Sequence, residues 1–318
     1  MGVSVTDIFL RNRKGFWMRV SVLVKTGSKC ARVVGLIVLL TAVSTISGAA
    51  GNEKRTTPEG VRLLANKSFD DSEAARGEIL QLYKNLRVTD VLDGMDAIGL
   101  QDMGLMANNI RPLWRDAEKF THRTVGFAIT VRYVPTDVRV GQGSFANLKE
   151  YQKFEGEEYR RSQFEKWTEV IKPGDIVVID ARGVVEGGHT GSNNSLGWAA
   201  KGLKGVITNG GVRDTDEIVK VKKIAVYCRD GYSARGIVPG RLLCESYNFP
   251  IVCGGALVFP GDVIVADGDG VIVVPREHAL EVGRIARDIN VGDEKSRARR
   301  FKVLGMEPDE TVIIEKTE

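Results

Sequence analysis

The chain has 318 residues, 43% hydrophobic and 27% charged, a composition that excludes general disorder and allows one large core or two modest ones. Its net charge of +4 is carried by the N-terminus: residues 1–55 hold nine Lys/Arg against Asp7 and Glu53, and subtracting that +7 leaves about −3 for the rest. The body therefore lacks the cationic excess of a nucleic-acid binder.

The leader reads "ARVVGLIVLLTAVSTISGAAGNEKR", with basic residues, an apolar run from Val33 to about Ile46, and then the small residues Ser47, Gly48, Ala49 and Ala50. That order is the order of an export signal, with cleavage expected near Ala49 to Gly51 and Met18 as an alternative start. A single-span anchor stays open as a second reading of residues 1–51, although the run is short for the roughly 20 apolar residues that cross a bilayer. Either way the expected location is outside the cytoplasm, with membrane contact only through this segment if it is not cleaved. Cys30, Cys228, Cys244 and Cys253 have no C-x-x-C spacing, so neither a zinc site nor a disulfide framework is expected.

Residues 52–75 are polar and breaker-rich and read as a linker. From Ser72 the apolar residues Ile79, Leu80, Leu82, Tyr83 and Leu86 fall at helical spacing, and a second short helix is expected from Val88 to Ile98. Thr89 and Asp90 suit its cap. "TVGFAITVRYVP" alternates and is β-branched, hence a strand, and Thr136 to Lys166 reads as a surface insertion of loop and helix in a single domain spanning 76–318.

From Lys172 the pattern is regular. "KPGDIVVID" is a turn and a buried strand, "SLGWAAKGLK" places Leu196, Ala199, Ala200 and Leu203 on one helical face, and "GVITNGG" is another buried strand. The Gly-rich "ARGVVEGGHTGSNN" precedes the helix but lacks G-x-G-x-x-G, and no G-x-x-x-x-G-K-[ST] occurs. What remains is a helix start whose free N–H groups, around Ser192, Asn193 and Asn194, can hold an anion such as a carboxylate. A β-α-β crossover brings the end of the second strand to the same sheet edge, so Arg213 and Asp214 emerge beside that helix start. His189 in the glycine loop reads as structural, His122 and His278 as peripheral, and Asp267 and Asp269 as a hairpin turn. Arg229 and Arg235 in "YCRDGYSARG" read equally as surface residues or, by the place of that segment beside the pocket in similar proteins, as ligands of a distal carboxylate.

The motifs "VTDVLDGM", "IRPLW", "GFAITVR", "PGDIVVIDARG", "GVITNGGVRDTDEI" and "PGDVIVADGDGVIVVP", in this order from about Leu80 to Ala286, resemble the RraA-like family. That family includes class II aldolases acting on 4-hydroxy-4-methyl-2-oxoglutarate and 4-carboxy-4-hydroxy-2-oxoadipate, and RraA regulators of ribonuclease E. The resemblance implies an α/β swivelling β/β/α sandwich that assembles as homotrimers or pairs of trimers, with sites at subunit interfaces. It also implies an acid, twenty intervening residues, then Arg-Asp. Arg213 and Asp214 match the second half, and Ser192 stands where the acid would be.

By the same resemblance, Asp214 holds Mg²⁺ or another divalent metal such as Mn²⁺, Arg213 faces the oxygen of a pyruvate enolate, and Ser192, Asn193 and Asn194 with Arg213 bind a small 2-keto acid. The expected activity is carbon–carbon cleavage, by retro-aldol reaction or oxaloacetate decarboxylation. A non-catalytic binding protein of the regulator type is the alternative.

Overall fold

The structure, a computed structural model, describes the backbone of residues 2–11 and 17–26 and residues 63–137, 141, 143–229 and 232–313. Two compact units are separated near residue 61, Met1–Val61 and Arg62–Glu318. In the first, β1 (Gly2–Arg11) and β2 (Trp17–Thr26) form an antiparallel hairpin with Gly2 opposite Thr26 and Arg11 opposite Trp17. Both segments are rich in the β-branched and aromatic residues that favour strands. The leader reading contains no such hairpin. Its apolar run from 33 to 46, its expected cleavage site and Cys30 lie outside the described residues.

The second unit opens with two helices, α1 (Glu73–Leu82) and α2 (Val88–Ala97), where the helical spacing places them. Next come β3 (Ile110–Pro112), β4 (Thr124–Pro135) and α3 (Leu148–Ser162), then a 3₁₀ turn at Lys166–Val170. The middle of the chain supplies β5 (Asp175–Asp180), β6 (Gly188–Thr190), α4 (Ser192–Ala200), β7 (Gly205–Thr208), β8 (Gly211–Val212), α5 (Thr215–Val221) and β9 (Ala225–Arg229). It ends with β10 (Leu242–Tyr247), β11 (Ile251–Cys253), β12 (Ala256–Val258), β13 (Val263–Asp267), β14 (Gly270–Val274) and the long α6 (Ala279–Leu304).

The main sheet runs β14-β13-β4-β5-β7-β9-β3, with β10 on the far half of β4. Its centre, β4-β5-β7-β9, is parallel, and its outer strands are antiparallel. The centre is buried on both faces, so β5 reads as a continuous apolar run rather than an alternating one. The end strands β14 and β3 touch, which nearly closes the sheet. This is the mixed α/β architecture expected. Asp90 behaves as a cap residue, since its carboxylate accepts from the Arg87 N–H at 2.9 Å and pairs with the Arg87 guanidinium. Asp267 sits in the expected hairpin and also accepts from the Val88 N–H at 2.9 Å, capping α2 from the sheet.

Three expectations are corrected. Leu203 is buried and Ala199 packs on the core as the spacing predicts, but the fully buried residues of α4 are Ser195 and Trp198, while Leu196 is 41% exposed and lines a cleft of about 210 Å³ against α5. The spacing of apolar residues misleads here because Trp198 packs edge-on to Trp167 at 4.9 Å and rotates the helix toward it. The insertion is not all surface: α3 buries Glu158 and Ser162, and Phe164 is buried and joins the same core as Trp167. Its anchor is Tyr133 of β4, whose hydroxyl donates to the Phe164 carbonyl at 2.5 Å. Finally, the C-terminal part of the linker is docked. Asn66 donates to the Asn248 carbonyl at 2.8 Å, Lys67 pairs with Glu277 at 2.6 Å, and Phe69 lies beside Arg276. Arg276 and Arg76 both stack on Phe127, at 4.5 and 4.1 Å from its centroid, and Arg76 pairs with the buried Asp175 at 2.8 Å.

Candidate active site

The site is built where two Gly-rich turns meet. β6 and β8 pair in parallel as a small second sheet, and the bridges Gly188 to Gly236 and Val212 to Tyr232 extend it. Gly210 and Gly211 answer a packing demand: a Cβ at 210 would lie 2.6 Å from the Ala181 Cβ, and one at 211 would meet the Val185 carbonyl. The loop 181–187 therefore crosses directly over the end of β7. Asn209 fastens it, accepting from the Ala181 N–H at 2.7 Å and donating to Asp180 at 3.0 Å.

The chain then turns sharply. The Arg213 N–H donates to the Thr190 carbonyl at 2.8 Å, and Asp214 takes a left-handed conformation with φ 55° and ψ 41°. For most residues other than glycine that conformation costs about 1–2 kcal/mol, and aspartate and asparagine are the ones that tolerate it. Asp214 stands at the N-cap of α5 yet does not cap it. Its carboxylate reaches instead to the start of α4, where Oδ2 accepts from the Ser192 N–H at 3.1 Å and lies 3.4 Å from the Ser192 hydroxyl. Oδ1 accepts from Arg213 Nε at 3.1 Å. Both side chains are about one-third exposed, so the pair faces solvent from a fixed base.

Ser192, Arg213 and Asp214 are thus brought together as expected. The anion-binding role is corrected in part: the Ser192 amide is already taken by the protein's own carboxylate. The Asn194 side chain is likewise engaged, its Nδ2 donating to Glu165 at 2.8 Å. Asn193 is exposed. The backbone N–H groups of Asn193 and Asn194, free by their position in the first turn of the helix, have no protein acceptor among the described residues.

Other candidates fall outside this cluster. His189 is fully buried, stacks on Tyr133 at 5.7 Å and shares a 2.8 Å hydrogen bond with Thr208; burial pushes its pKa down to about 4, so it is a neutral structural group. His122 is buried rather than peripheral, its Nδ1 accepting from the Asp116 N–H at 3.2 Å. The Arg229 guanidinium leans on the glycine loop, 2.6 Å from where a Cβ on Gly183 would be, whereas Arg235 touches that loop through its carbonyl and exposes its side chain. Two residues at the site were missed. Glu165 accepts from both Asn194 Nδ2 and Trp198 Nε1, at 2.8 and 2.9 Å. Tyr159 of α3 is held above its usual pKa, chiefly by burial, and feels the charges of Glu155, Arg213, Glu165 and Asp214. Both belong to the insertion, whose polar composition concealed them.

A family model described as "RraA-like: Aldolase/RraA" matches residues 88–273. The chain belongs to the RraA-like family. It is 35% identical over 136 residues to a Halalkalibacterium halodurans protein named "Putative 4-hydroxy-4-methyl-2-oxoglutarate aldolase", across 42% of this chain and 62% of that one. An Arabidopsis thaliana protein named "Putative 4-hydroxy-4-methyl-2-oxoglutarate aldolase 3" is 33% identical over 109 residues, across 33% of this chain and 60% of the relative. The chain thus spans about three fifths of the length of these relatives. In structure it is similar to Streptomyces coelicolor RraAS2, "an unusual member of the RNase ES inhibitor RraA protein family", with a TM-score of 0.56 and 23% identity, over 70% of this chain and 98% of that one. That likeness is one of fold, and the nearly closed mixed sheet agrees with it.

Whether a divalent metal suits this RraA-like site is decided by its oxygens. Gly191 has no Cβ, and the space one would fill is faced by Asp214 Oδ2 at 2.8 Å and Asn194 Oδ1 at 3.4 Å. These are hard donors, and there is one carboxylate among them; no cluster of three or more His, Cys, Asp or Glu suited to a metal occurs among the described residues. That set does not cage an ion. It suits a magnesium-like cation that keeps most of its water and relies on one or two carboxylates and its substrate.

Proposed function

We propose that this chain is a divalent-metal-dependent lyase that cleaves a carbon–carbon bond in a small 2-keto acid. The observation that carries the reading is Asp214: a residue at a left-handed turn whose carboxylate is held beside Arg213 at the start of α4 instead of capping its own helix. Asp214, with Mg²⁺ or Mn²⁺ as the cation, would be the protein's charged ligand, and the cation would supply Lewis-acid polarisation of the keto acid. The remaining roles belong to the chain. Arg213 spends Nε on Asp214, which leaves its terminal N–H groups to face the oxygen on which enolate charge develops. The backbone N–H groups of Asn193 and Asn194 suit the substrate carboxylate.

Ser192 sharpens the choice of reaction. A retro-aldol cleavage must remove the proton of the substrate hydroxyl, and a serine hydroxyl is a poor base at neutral pH. Decarboxylation of oxaloacetate needs no such step: the C3–C4 bond breaks, CO₂ departs, the electron pair forms the pyruvate enolate, and solvent protonates C3. The reading therefore favours decarboxylation over retro-aldol cleavage of 4-hydroxy-4-methyl-2-oxoglutarate.

Pyruvate release from oxaloacetate, measured with Mg²⁺, with Mn²⁺ and with chelator, tests it. Metal-dependent release that disappears in Asp214→Ala is the expected result. No release from either substrate with any divalent ion overturns the lyase reading and leaves a regulator-type binding protein.

Two further proposals accompany it. The working unit is a homotrimer or a pair of trimers, supported by apolar side chains left at the surface beside the site, Leu196 and Val221. The protein is exported, supported by the composition of its leader; fractionation that finds the full-length chain soluble in the cytoplasm would overturn this.

A further inference from the structure

Glu165 is an exposed residue on a rigid mount. Its neighbours Phe164 and Trp167 are both buried in the core, Phe164 tied to Tyr133 through its carbonyl and Trp167 through its indole N–H at 3.2 Å. From that mount one oxygen, Oε1, accepts from two donors on α4, Asn194 Nδ2 and Trp198 Nε1. The second bond matters because Trp198 is itself buried and packed on Trp167. The carboxylate cannot swing away without losing both.

The consequence falls on Asn194. An amide side chain has a donor end and an acceptor end, and a carboxylate accepts only. Glu165 therefore fixes Nδ2 toward itself and turns Oδ1 the other way, toward the space beside Gly191 that Asp214 Oδ2 also faces. With Glu165 absent, nothing would prevent the amide from rotating to offer its NH₂ group to the Asp214 carboxylate. That rotation would satisfy Asp214 internally and replace an oxygen ligand with a donor.

We propose that Glu165 is a positioning residue which holds the Asn194 amide with its oxygen toward Asp214, so that Asn194 Oδ1 and Asp214 Oδ2 together form the protein's side of a divalent-cation site. The proposal rests on the metal-dependent reading above and deepens it. It also revises the part given to Asn194, whose side chain presents an acceptor to the site and cannot hold a carboxylate there. A carboxylate that orients a metal ligand from outside typically changes affinity by about 10- to 100-fold when lost.

The test is direct Mn²⁺ binding to the purified full chain, read from the paramagnetic resonance of free Mn²⁺, with no turnover involved. Glu165→Ala and Asn194→Ala are each expected to weaken binding by about 10-fold or more. Glu165→Gln is expected to bind within about two-fold of wild type, because its amide oxygen can still accept from Asn194 and Trp198. The double variant Glu165→Ala, Asn194→Ala should bind no more weakly than Asn194→Ala alone, since Glu165 acts through Asn194. Circular dichroism melts of every variant identify any loss that comes from unfolding. Should Glu165→Ala bind Mn²⁺ like wild type while Asp214→Ala does not, the positioning role is wrong and the lyase reading stands. Additive losses in the double variant also overturn it. Should the wild type bind no Mn²⁺ at all, the metal-dependent reading fails and this inference fails with it.

Discussion

Replacing Asp214 by alanine, glycine and asparagine separates the demand of the backbone from the work of the carboxylate. The left-handed conformation at φ 55° costs alanine about 1–2 kcal/mol and glycine essentially nothing. Loss of the acceptor for the Ser192 N–H removes a helix-start contact worth about 1 kcal/mol. Asp214→Ala loses the contact and takes on a strain that aspartate largely escapes, so it should be destabilised by about 2–3 kcal/mol. Asp214→Gly loses the contact but meets no strain, and should fall about 1 kcal/mol below wild type. Asn tolerates the left-handed region and keeps an acceptor, so Asp214→Asn should be the least perturbed of the three. Urea unfolding at pH 7 reads these differences, and a thermal melt should show roughly 2–4 °C per kcal/mol for a body of this size. Oxaloacetate decarboxylation follows a different order: Ala and Gly should be equally inactive, since both lack the carboxylate. If Asp214→Ala proves as stable as Asp214→Gly, the strain argument fails. If either keeps wild-type metal-dependent activity, the placement of the site fails.

Ser192→Asp, assayed at saturating metal, should raise retro-aldol cleavage of 4-hydroxy-4-methyl-2-oxoglutarate more than decarboxylation, by up to the roughly 10²- to 10⁴-fold that general acid–base assistance provides; equal gains on both would contradict the role given to Ser192. His189, with a pKa lowered to about 4 by burial, contributes stability that is complete above pH 6.5 and lost as pH falls toward 4. The stability difference between wild type and His189→Gln should therefore shrink by about 2–3 kcal/mol between pH 7 and pH 4.5. Asp262, raised by burial to about 6, titrates in the opposite sense but is common to both proteins and cancels; a difference independent of pH would show that His189 is not held neutral by the fold. Light scattering at micromolar concentration should report a trimer or hexamer, and a monomer would count against the proposed assembly.

Much of the frame was legible because it is written in periodicity. The helical spacing from Ile79 to Leu86 and the buried runs of β5 and β7 are local patterns, and the crossover rule then carries Arg213 and Asp214 to the start of α4. What could not be read is what depends on contacts distant in sequence. The rotation of α4 is set by Trp167, 31 residues before Trp198, and the spacing of Leu196 and Ala199 says nothing of it. Glu165 lies in a polar stretch with no periodicity, and only the burial of Phe164 and Trp167 on either side brings it to Asn194. The Phe-x-x-Trp pattern in "QFEKW" was the available signal: two large apolar residues bracketing an acid in an otherwise charged segment. The backbone conformation of Asp214 had no signal, since aspartate there looks like an ordinary helix cap.

The docked segment from Asn66 to Arg76 limits how the protein can be shortened. Gly261 has φ +87°, and a Cβ added there would run into the tip of the Phe69 ring, so the para end of that ring abuts bare main chain while the Arg276 guanidinium lies over its face. A chain trimmed to begin at α1 would lose Phe69 and leave an uncovered hollow, while Arg276 would lose the Asp70 carbonyl that accepts from it at 2.7 Å. A chain beginning upstream of Asn66 keeps the whole clasp. The amino-terminal limit of the folding unit therefore lies about seven residues ahead of its first helix, in a stretch that carries no regular secondary structure of its own.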